Sequence, residues 1–494
     1  MQSTTVRWHL DGHLFNLYAI MSIIAALCIL TFTVPVHAKQ ISDKDITSAI
    51  ETALGEDHVI LADKIDVKTD KGVVTFTGTV NNLLSKDRAE KIAESIVGVR
   101  AVVNRINVEP YLSCSDTQLK KDVKNALLFD PATDSYEITP KVNNGVVTLT
   151  GEVDSWQEKE LSTFVTEGVL CVKDVKNNIT VEYKTDRADL EIKREIEARL
   201  KNDVRVDDNL IQVTVENSKV ILSGAVGSLA EKSRAVLDAY VQGVNSVNSV
   251  PLKIEWWARD KMRRKDSYIA RSDDQIKKAV KDAFLYDPRV FSLNPGINVD
   301  SGTVTLVGVV KNLKAKKAAE QDARNVIGVW RVKNHLKVRP VDIPSDVELE
   351  KRVGTVLVLN PWVKRFDINI SAVAGMVYLS GEVMTLFEKN EAERVAENVK
   401  GVIKVVNNIN YPVAWNWKAD KEIREDVKDQ LFWSPFVDEG QVNVSVFDGV
   451  VTLTGNVETL SERRAAEENA YEGGAKKVKN NLTVNYRYYG PYYP

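Results

Sequence analysis

The amino-acid sequence predicts an α+β fold: a tandem array of six small domains, each with the element order α-β-β-α-β. Three observations predict it. A short phrase of alternating apolar and hydroxyl residues around a fixed glycine occurs six times, a helix-start signal precedes each phrase, and a second helical pattern follows it. The glycines, at intervals of 73, 73, 84, 73 and 74 residues, are Gly78, Gly151, Gly224, Gly308, Gly381 and Gly455.

The first helix of each copy has a recognisable start. In four copies a serine stands three residues before Asp, Gln or Glu, and with Gln or Glu this is the capping box, in which side chains bond the free backbone N–H groups of the first turn. These serines are Ser42, Ser115, Ser272 and Ser345, and alanine replaces them at Ala188 and Ala419. An X-Pro pair should end the helix in four copies, because the residue before proline disfavours helical geometry.

Two strands are predicted next, and the second contains the glycine. In the second copy, Val147, Leu149 and Val153 lie on one face, and Thr148 and Thr150 lie on the other. This period-2 alternation indicates one face against a core and one toward water. The glycine lies on the apolar face, where we expect it to let a helix approach the sheet closely.

A second helix and a last strand complete the unit. The helix is rich in alanine and ends at glycine in most copies, which suits a left-handed cap. A right-handed β-α-β crossover should place the last strand parallel to the second. Each domain is therefore predicted as two helices packed on a three-stranded mixed sheet.

The predicted boundaries follow from the repeat. They are an export segment at 1–38, domains at 41–110, 114–183, 187–256, 271–340, 344–413 and 418–487, a basic aromatic linker at 257–270, and a tyrosine-rich tail at 488–494.

The repeated phrases resemble the BON domain. Ser-Asp-x-x-[Ile/Leu] at a helix start, Asp-Pro at its end, and Gly-Val-Val-Thr-Leu-Thr-Gly-x-Val in the second strand carry the resemblance, together with Gly-Val-x-x-Val-x-Asn-x-[Ile/Leu] in the last. That family includes osmotically inducible periplasmic proteins of Gram-negative bacteria. The resemblance implies an envelope location and a role in binding phospholipid or supporting the envelope under osmotic or related stress.

Composition and motifs argue against several functions. The formal net charge of −3 gives no general attraction to nucleic acid. The sequence has no cluster of His, Cys, Asp and Glu with metal-ligand spacing, no phosphate-binding glycine loop and no nucleophile elbow. We therefore expect no enzyme activity, no metal and no cofactor.

The N-terminus predicts export. Arg7 precedes a mostly apolar run from Leu14 to Val34, and Ala38 ends a short segment that suits cleavage. Two alternatives remain: a signal peptide cleaved after Ala38, or an inner-membrane anchor formed by residues 14–34. In either case the repeats are expected in the periplasm.

Two cysteines follow this segment. Cys114 precedes the capping serine of the second copy, and Cys171 replaces the glycine that ends the second helix elsewhere. Because the helices should run antiparallel, both thiols should lie at one end of the domain. We predict a disulfide, and the alternative is two buried free thiols.

Departures from the repeat provide the binding candidates. Paired tryptophans beside a basic run suit a membrane interface, and exposed aromatics at loop tips suit contacts. The candidates are Trp256, Trp257, Arg263, Arg264, Lys265, Trp330, Trp362, Trp415, Trp417 and Phe436. The alternative for the linker tryptophans is packing between neighbouring domains.

Two functions remain open. The first is a non-enzymatic protein that binds anionic phospholipid or other envelope components through several domains at once. The second is a periplasmic scaffold or holdase-like factor that binds other exported proteins without lipid.

Overall fold

The computed structural model describes residues 41–57, 59–60, 62–133, 137–183, 187–255, 257–258, 271–290, 295–341, 343–364, 366–411 and 418–484. From Asp43 onward the chain forms one compact unit. The six domains therefore pack together instead of lying apart on flexible connections.

Twelve helices, two for each domain, lie in the described residues. They are α1 Asp43–Glu56, α2 Leu83–Glu94, α3 Asp116–Phe129, α4 Trp156–Glu167, α5 Asp189–Asn202, α6 Leu229–Ala239, α7 Asp273–Tyr286, α8 Leu313–Arg324, α9 Asp346–Leu359, α10 Leu386–Glu397, α11 Asp420–Trp433 and α12 Leu460–Glu472.

The strands of the first three domains are β1 Ile65–Asp70, β2 Val73–Val80, β3 Ala101–Asn104, β4 Asn107–Val108, β5 Thr139–Asn143, β6 Val146–Val153, β7 Asp174–Val181, β8 Ile211–Glu216, β9 Lys219–Val226, β10 Ser246–Asn248 and β11 Leu252–Ile254. Those of the last three are β12 Gly296–Asp300, β13 Thr303–Val310, β14 Arg331–Val338, β15 Ile368–Val373, β16 Met376–Glu382, β17 Lys404–Asn410, β18 Val442–Phe447, β19 Val450–Val457 and β20 Lys477–Val484.

Every sheet has the same topology, with the glycine-bearing strand in the middle. It pairs antiparallel with the strand before it and parallel with the strand after the second helix, as β6 does with β5 and β7. In the first and third domains the last strand is split into two segments. The prediction of six α-β-β-α-β domains is confirmed.

The core of each domain lies between its helices and its sheet. The apolar positions of the repeated phrase are its centre, and Val147 and Leu149 are fully buried. First-helix residues such as Leu119 and Val123 cover them. The alternation read from the sequence therefore identifies the buried face correctly.

The repeated glycine has a different role from the predicted one. Gly151 adopts φ +143°, and a Cβ there would lie 2.3 Å from the carbonyl oxygen of Glu137, just before the neighbouring strand. Gly78, Gly224, Gly381 and Gly455 meet the equivalent carbonyl at 2.0–2.5 Å. The expectation of a helix approaching the glycine was wrong, because a strand carbonyl and a left-handed torsion exclude a side chain there.

A local contact that recurs in all six domains joins the first helix to the hairpin turn. The aspartate after each helix cap accepts backbone N–H bonds from that turn, as Asp116 does from Asn144 at 2.8 Å and Gly145 at 3.1 Å. The equivalent aspartates are Asp43, Asp189, Asp273, Asp346 and Asp420. This aspartate connects two elements that are about 28 residues apart in the chain.

An asparagine ties the last strand to the second helix. Asn177 donates to the carbonyl oxygen of Lys159 at 2.8 Å and accepts from the N–H of Ile179 at 3.1 Å. The equivalent residues with both bonds are Asn104, Asn334, Asn407 and Asn480. The asparagine therefore fixes the position of the crossover helix over the sheet.

The structure contains the predicted disulfide between Cys114 and Cys171, with 6.1 Å between the Cα atoms. Cys171 has φ +70° at the position where other domains have glycine. The bond joins the segment before α3 to the loop after α4, at one end of the second domain.

Candidate functional site: the paired domains and their shared cavity

The second and fifth domains are joined by reciprocal backbone hydrogen bonds. The N–H of Leu170 donates to the carbonyl oxygen of Leu359 at 2.7 Å, and the N–H of Lys400 donates to that of Phe129 at 2.8 Å. Leu170 and Lys400 occupy equivalent positions after the second helix, and Leu359 and Phe129 are each the last residue of a first helix. The two domains are therefore related by an approximate twofold axis.

One of the two hydrogen bonds of this contact also joins each of two further pairs. In the third and fourth domains Ile327 N–H donates to the carbonyl oxygen of Asn202 at 2.9 Å, and in the first and sixth Val97 N–H donates to that of Trp433 at 3.2 Å. The pairs are thus first with sixth, second with fifth and third with fourth.

The chemistry of helix ends explains this contact. The last carbonyl groups of a helix have no partner inside it. Each donor residue immediately precedes a residue with positive φ, such as Gly98, Cys171 or Gly401. That turn aims its N–H at the end of the first helix in the partner domain.

Second-helix residues join the pairs to one another. The rings of Trp156 and Tyr240 stack with centroids 4.0 Å apart, between the second and third domains. Lys314 of the fourth domain forms an ion pair with Asp130 of the second, and both side chains are at most 10% exposed. Lys317 forms an ion pair with Glu397 of the fifth domain at 2.6 Å.

These contacts border an open cavity of about 1220 Å³, lined mainly by helices of the second to fifth domains. Its wall is partly apolar: Phe164 and Leu237 line it while remaining 44% and 42% exposed. Acidic and basic side chains also line it in similar numbers. The cavity therefore has no strong charge preference.

Two acidic side chains stand at equivalent positions on the second helices of the third and fourth domains. Burial raises the pKa of Asp238 to about 6, against the effect of Arg234. Burial, followed by the neighbouring Asp287, raises the pKa of Asp322 well above its usual value, against the effect of Arg289. These carboxyls therefore gain protons more readily than exposed aspartates do.

The predicted aromatic candidates are only partly described. Trp257 is 52% exposed. The other linker candidates lie outside the described residues: Trp256, Arg263, Arg264, Lys265, Trp415 and Trp417.

The expectation that the loop-tip aromatics are exposed was wrong. Trp330, Trp362 and Phe436 are half-buried. The indole N–H of Trp362 donates to Ser85 of the first domain at 3.3 Å, and its ring meets Phe387 edge-on at 5.1 Å. Trp330 donates its indole N–H to the carbonyl oxygen of Ser301. A contact between domains that are distant in sequence leaves no local pattern, so sequence reasoning missed the role of Trp362.

Sequence reasoning also missed two exposed apolar hairpin tips. Phe447 is 81% exposed and Val373 is 55% exposed. The same position is polar in the first four copies, at Asp70, Asn143, Glu216 and Asp300. Comparing the copies at this position would have revealed the departure.

Comparison with known families identifies the domain. The BON domain profile matches six segments of the chain, at residues 42–110, 115–183, 188–254, 272–340, 345–412 and 419–486. The chain belongs to the BON domain family. The resemblance seen in the repeated phrases is thereby confirmed.

Two named bacterial proteins are similar to parts of this chain. The chain is 32% identical over 143 residues to osmotically-inducible protein Y of Escherichia coli, an alignment that spans 28% of this chain and 71% of that protein. It is 33% identical over 115 residues to the outer membrane lipoprotein DolP of Haemophilus influenzae, which spans 22% of this chain and 59% of DolP. The six-domain chain is therefore much longer than either alignment.

A solved structure of CdsD, a structural protein of the type III secretion system of Chlamydia trachomatis, aligns with 46% of this chain and 100% of its own length. The identity is 14% and the TM-score 0.12, so this likeness supports no conclusion.

Within the described ranges, no helix has both the length and the apolar character needed to cross a bilayer.

Proposed function

We propose that this BON domain protein is exported and non-enzymatic, binds anionic phospholipid or other envelope components, and supports the envelope under osmotic or related stress. Membership in the family supports the proposal, as do the names of two relatives, an osmotically inducible protein and an outer membrane lipoprotein. The proposed location is the periplasm, reached through the N-terminal export segment.

The single observation that most supports phospholipid binding is the exposure of Trp257 beside a segment that is basic in sequence. Trp257 is 52% exposed, whereas its neighbour Ala258 is buried. The sequence then continues through Arg259, Lys261 and the run Arg263-Arg264-Lys265. Tryptophan favours the interface of a bilayer, and each nearby cation gains about 1 kcal/mol at an anionic surface.

Vesicle flotation of residues 39–494 tests this proposal, with phosphatidylglycerol-containing and with pure phosphatidylcholine vesicles at low and moderate salt. We expect flotation with the anionic vesicles only, and weaker flotation at higher salt because salt screens surface charge. A variant with alanine at Arg263, Arg264 and Lys265 should float less.

A matched control removes the same charge elsewhere. Lys120, Lys121 and Lys124 are exposed on α3, and alanine at all three should leave flotation close to that of the unchanged protein. An equal decrease in flotation for both variants would show that binding depends on net charge alone. No flotation of the unchanged protein would reject lipid binding and favour the scaffold function, for which the exposed tip residue Phe447 offers a contact.

A further inference from the structure

We propose that the helix-end surface of each domain is a docking surface whose partner is another BON domain. Within this chain it joins two half-chains, the first to third domains and the fourth to sixth, as an isologous dimer is joined. The proposal concerns assembly and is independent of lipid binding.

The symmetry of the contact supports this inference. In an isologous interface, residue i contacts residue j while j contacts i. Leu170 with Leu359 and Lys400 with Phe129 satisfy that rule between the second and fifth domains. In all three pairs one member belongs to the first half-chain and the other to the second.

Backbone groups provide the common part of the contact. The donor residues include valine, leucine, isoleucine and lysine, and the acceptor residues include tryptophan, leucine, asparagine and phenylalanine. Side-chain identity therefore does not determine whether two domains can dock. The turn after the second helix and the end of the first helix determine it.

Side chains distinguish one pair from another. In the first and sixth domains Lys418 and Gln430 bond Glu56, each at 3.0 Å. In the second and fifth domains the guanidinium of Arg394 lies 5.9 Å from the ring centre of Phe164. These unlike contacts select the order first with sixth, second with fifth and third with fourth.

The repeat spacing agrees with two half-chains. The glycines are 73 or 74 residues apart except between the third and fourth domains, where they are 84 apart. The additional length lies at the point where the chain passes from one half to the other. We infer that the halves associate through their docking surfaces and do not need this covalent connection.

Cutting the connection tests the inference on the full chain. A specific protease site is inserted between Arg264 and Lys265, the purified protein is cut there, and the product is analysed by size-exclusion chromatography with light scattering. We expect the two fragments to elute together at the mass of the uncut chain at micromolar concentration. Separate elution of the fragments would overturn the proposal.

Two lysines on α8 provide matched variants. Lys314 has its ion-pair partner Asp130 in the other half-chain, whereas Lys317 has its partner Glu397 in its own half-chain. In the cleaved protein, Lys314→Ala should raise the dissociation constant of the fragments by about tenfold or more, because it leaves a buried carboxylate without its cation. Lys317→Ala should change it by less than about threefold, since both partners of this pair belong to the same half-chain and the pair does not cross between the fragments.

The outcome of this comparison is decisive if both uncleaved variants retain the circular dichroism spectrum of the unchanged chain. A larger effect of Lys314→Ala supports docking between the halves. Equal effects would contradict it, because they would show that the fragments are not held together along the contacts described.

Discussion

At the residue scale, one backbone torsion explains why a glycine recurs in all six domains. The sequence located the position, but it could not distinguish a close helix from a close strand carbonyl, because both exclude a side chain. The φ of +143° at Gly151 and the nearby Glu137 carbonyl decide between them.

A glycine variant tests this explanation. Gly151→Ala should lower the free energy of unfolding by about 2–4 kcal/mol, because the new Cβ meets a backbone oxygen and adopts a disfavoured torsion. Urea unfolding measures this loss, and a loss below about 1 kcal/mol would contradict the carbonyl contact and the torsion as the cause.

Two carboxyls between the first and second domains should make the stability of the folded protein depend on pH. Burial raises the pKa of Asp87 to about 6, and burial together with Asp87 raises that of Glu167 to about 7. Since the folded state binds these protons more tightly than the unfolded state, their contribution to stability is complete at low pH. It is lost as the pH rises through these values.

The variant Glu167→Gln isolates that effect. Between pH 5 and pH 8 the free energy of unfolding of the unchanged protein should fall by about 1–2 kcal/mol more than that of the variant. This figure is reduced for the partial exposure of Glu167. The control Glu109→Gln changes an exposed carboxylate and should leave the pH slope unchanged. Parallel slopes for Glu167→Gln and the unchanged protein in urea unfolding would refute the assignment.

At the scale of elements, helices and strands were predictable because their signals are local. Caps, X-Pro stops and period-2 alternation act within a few residues, and six copies repeat them. The residues that join domains, such as Trp156, Lys314 and Trp362, differ from copy to copy and contact partners far away in sequence. The cavity and the pairing therefore could not be read from the repeat.

The disulfide stabilises the link between two helices of the second domain. Cys114 and Cys171 are 57 residues apart, so loop closure predicts a contribution of at most about 4 kcal/mol. Double replacement by serine should lower the stability of this domain and speed amide hydrogen exchange in α3 and α4. Unchanged exchange in both helices would contradict a stabilising role.

At the scale of the whole molecule, packing determines which surfaces are free to bind. An array of separate domains would expose every helix end, whereas the paired arrangement uses helix ends to join domains, as Trp433 joins Val97. The proposed envelope binding would then use surfaces outside these helix-end contacts, and Trp257 is the candidate named above. The sequence predicted the domains and the family, but it contained no signal for the pairing of domains that are distant in the chain.

The compactness of the six-domain body is the central structural claim, and small-angle X-ray scattering of residues 39–494 tests it most directly. A compact chain of this length should have a radius of gyration of about 22–25 Å. An extended row of six domains, each with a radius of gyration of about 11 Å, would exceed about 40 Å. A value near the lower figure supports the paired arrangement, and a value near the higher one would contradict it.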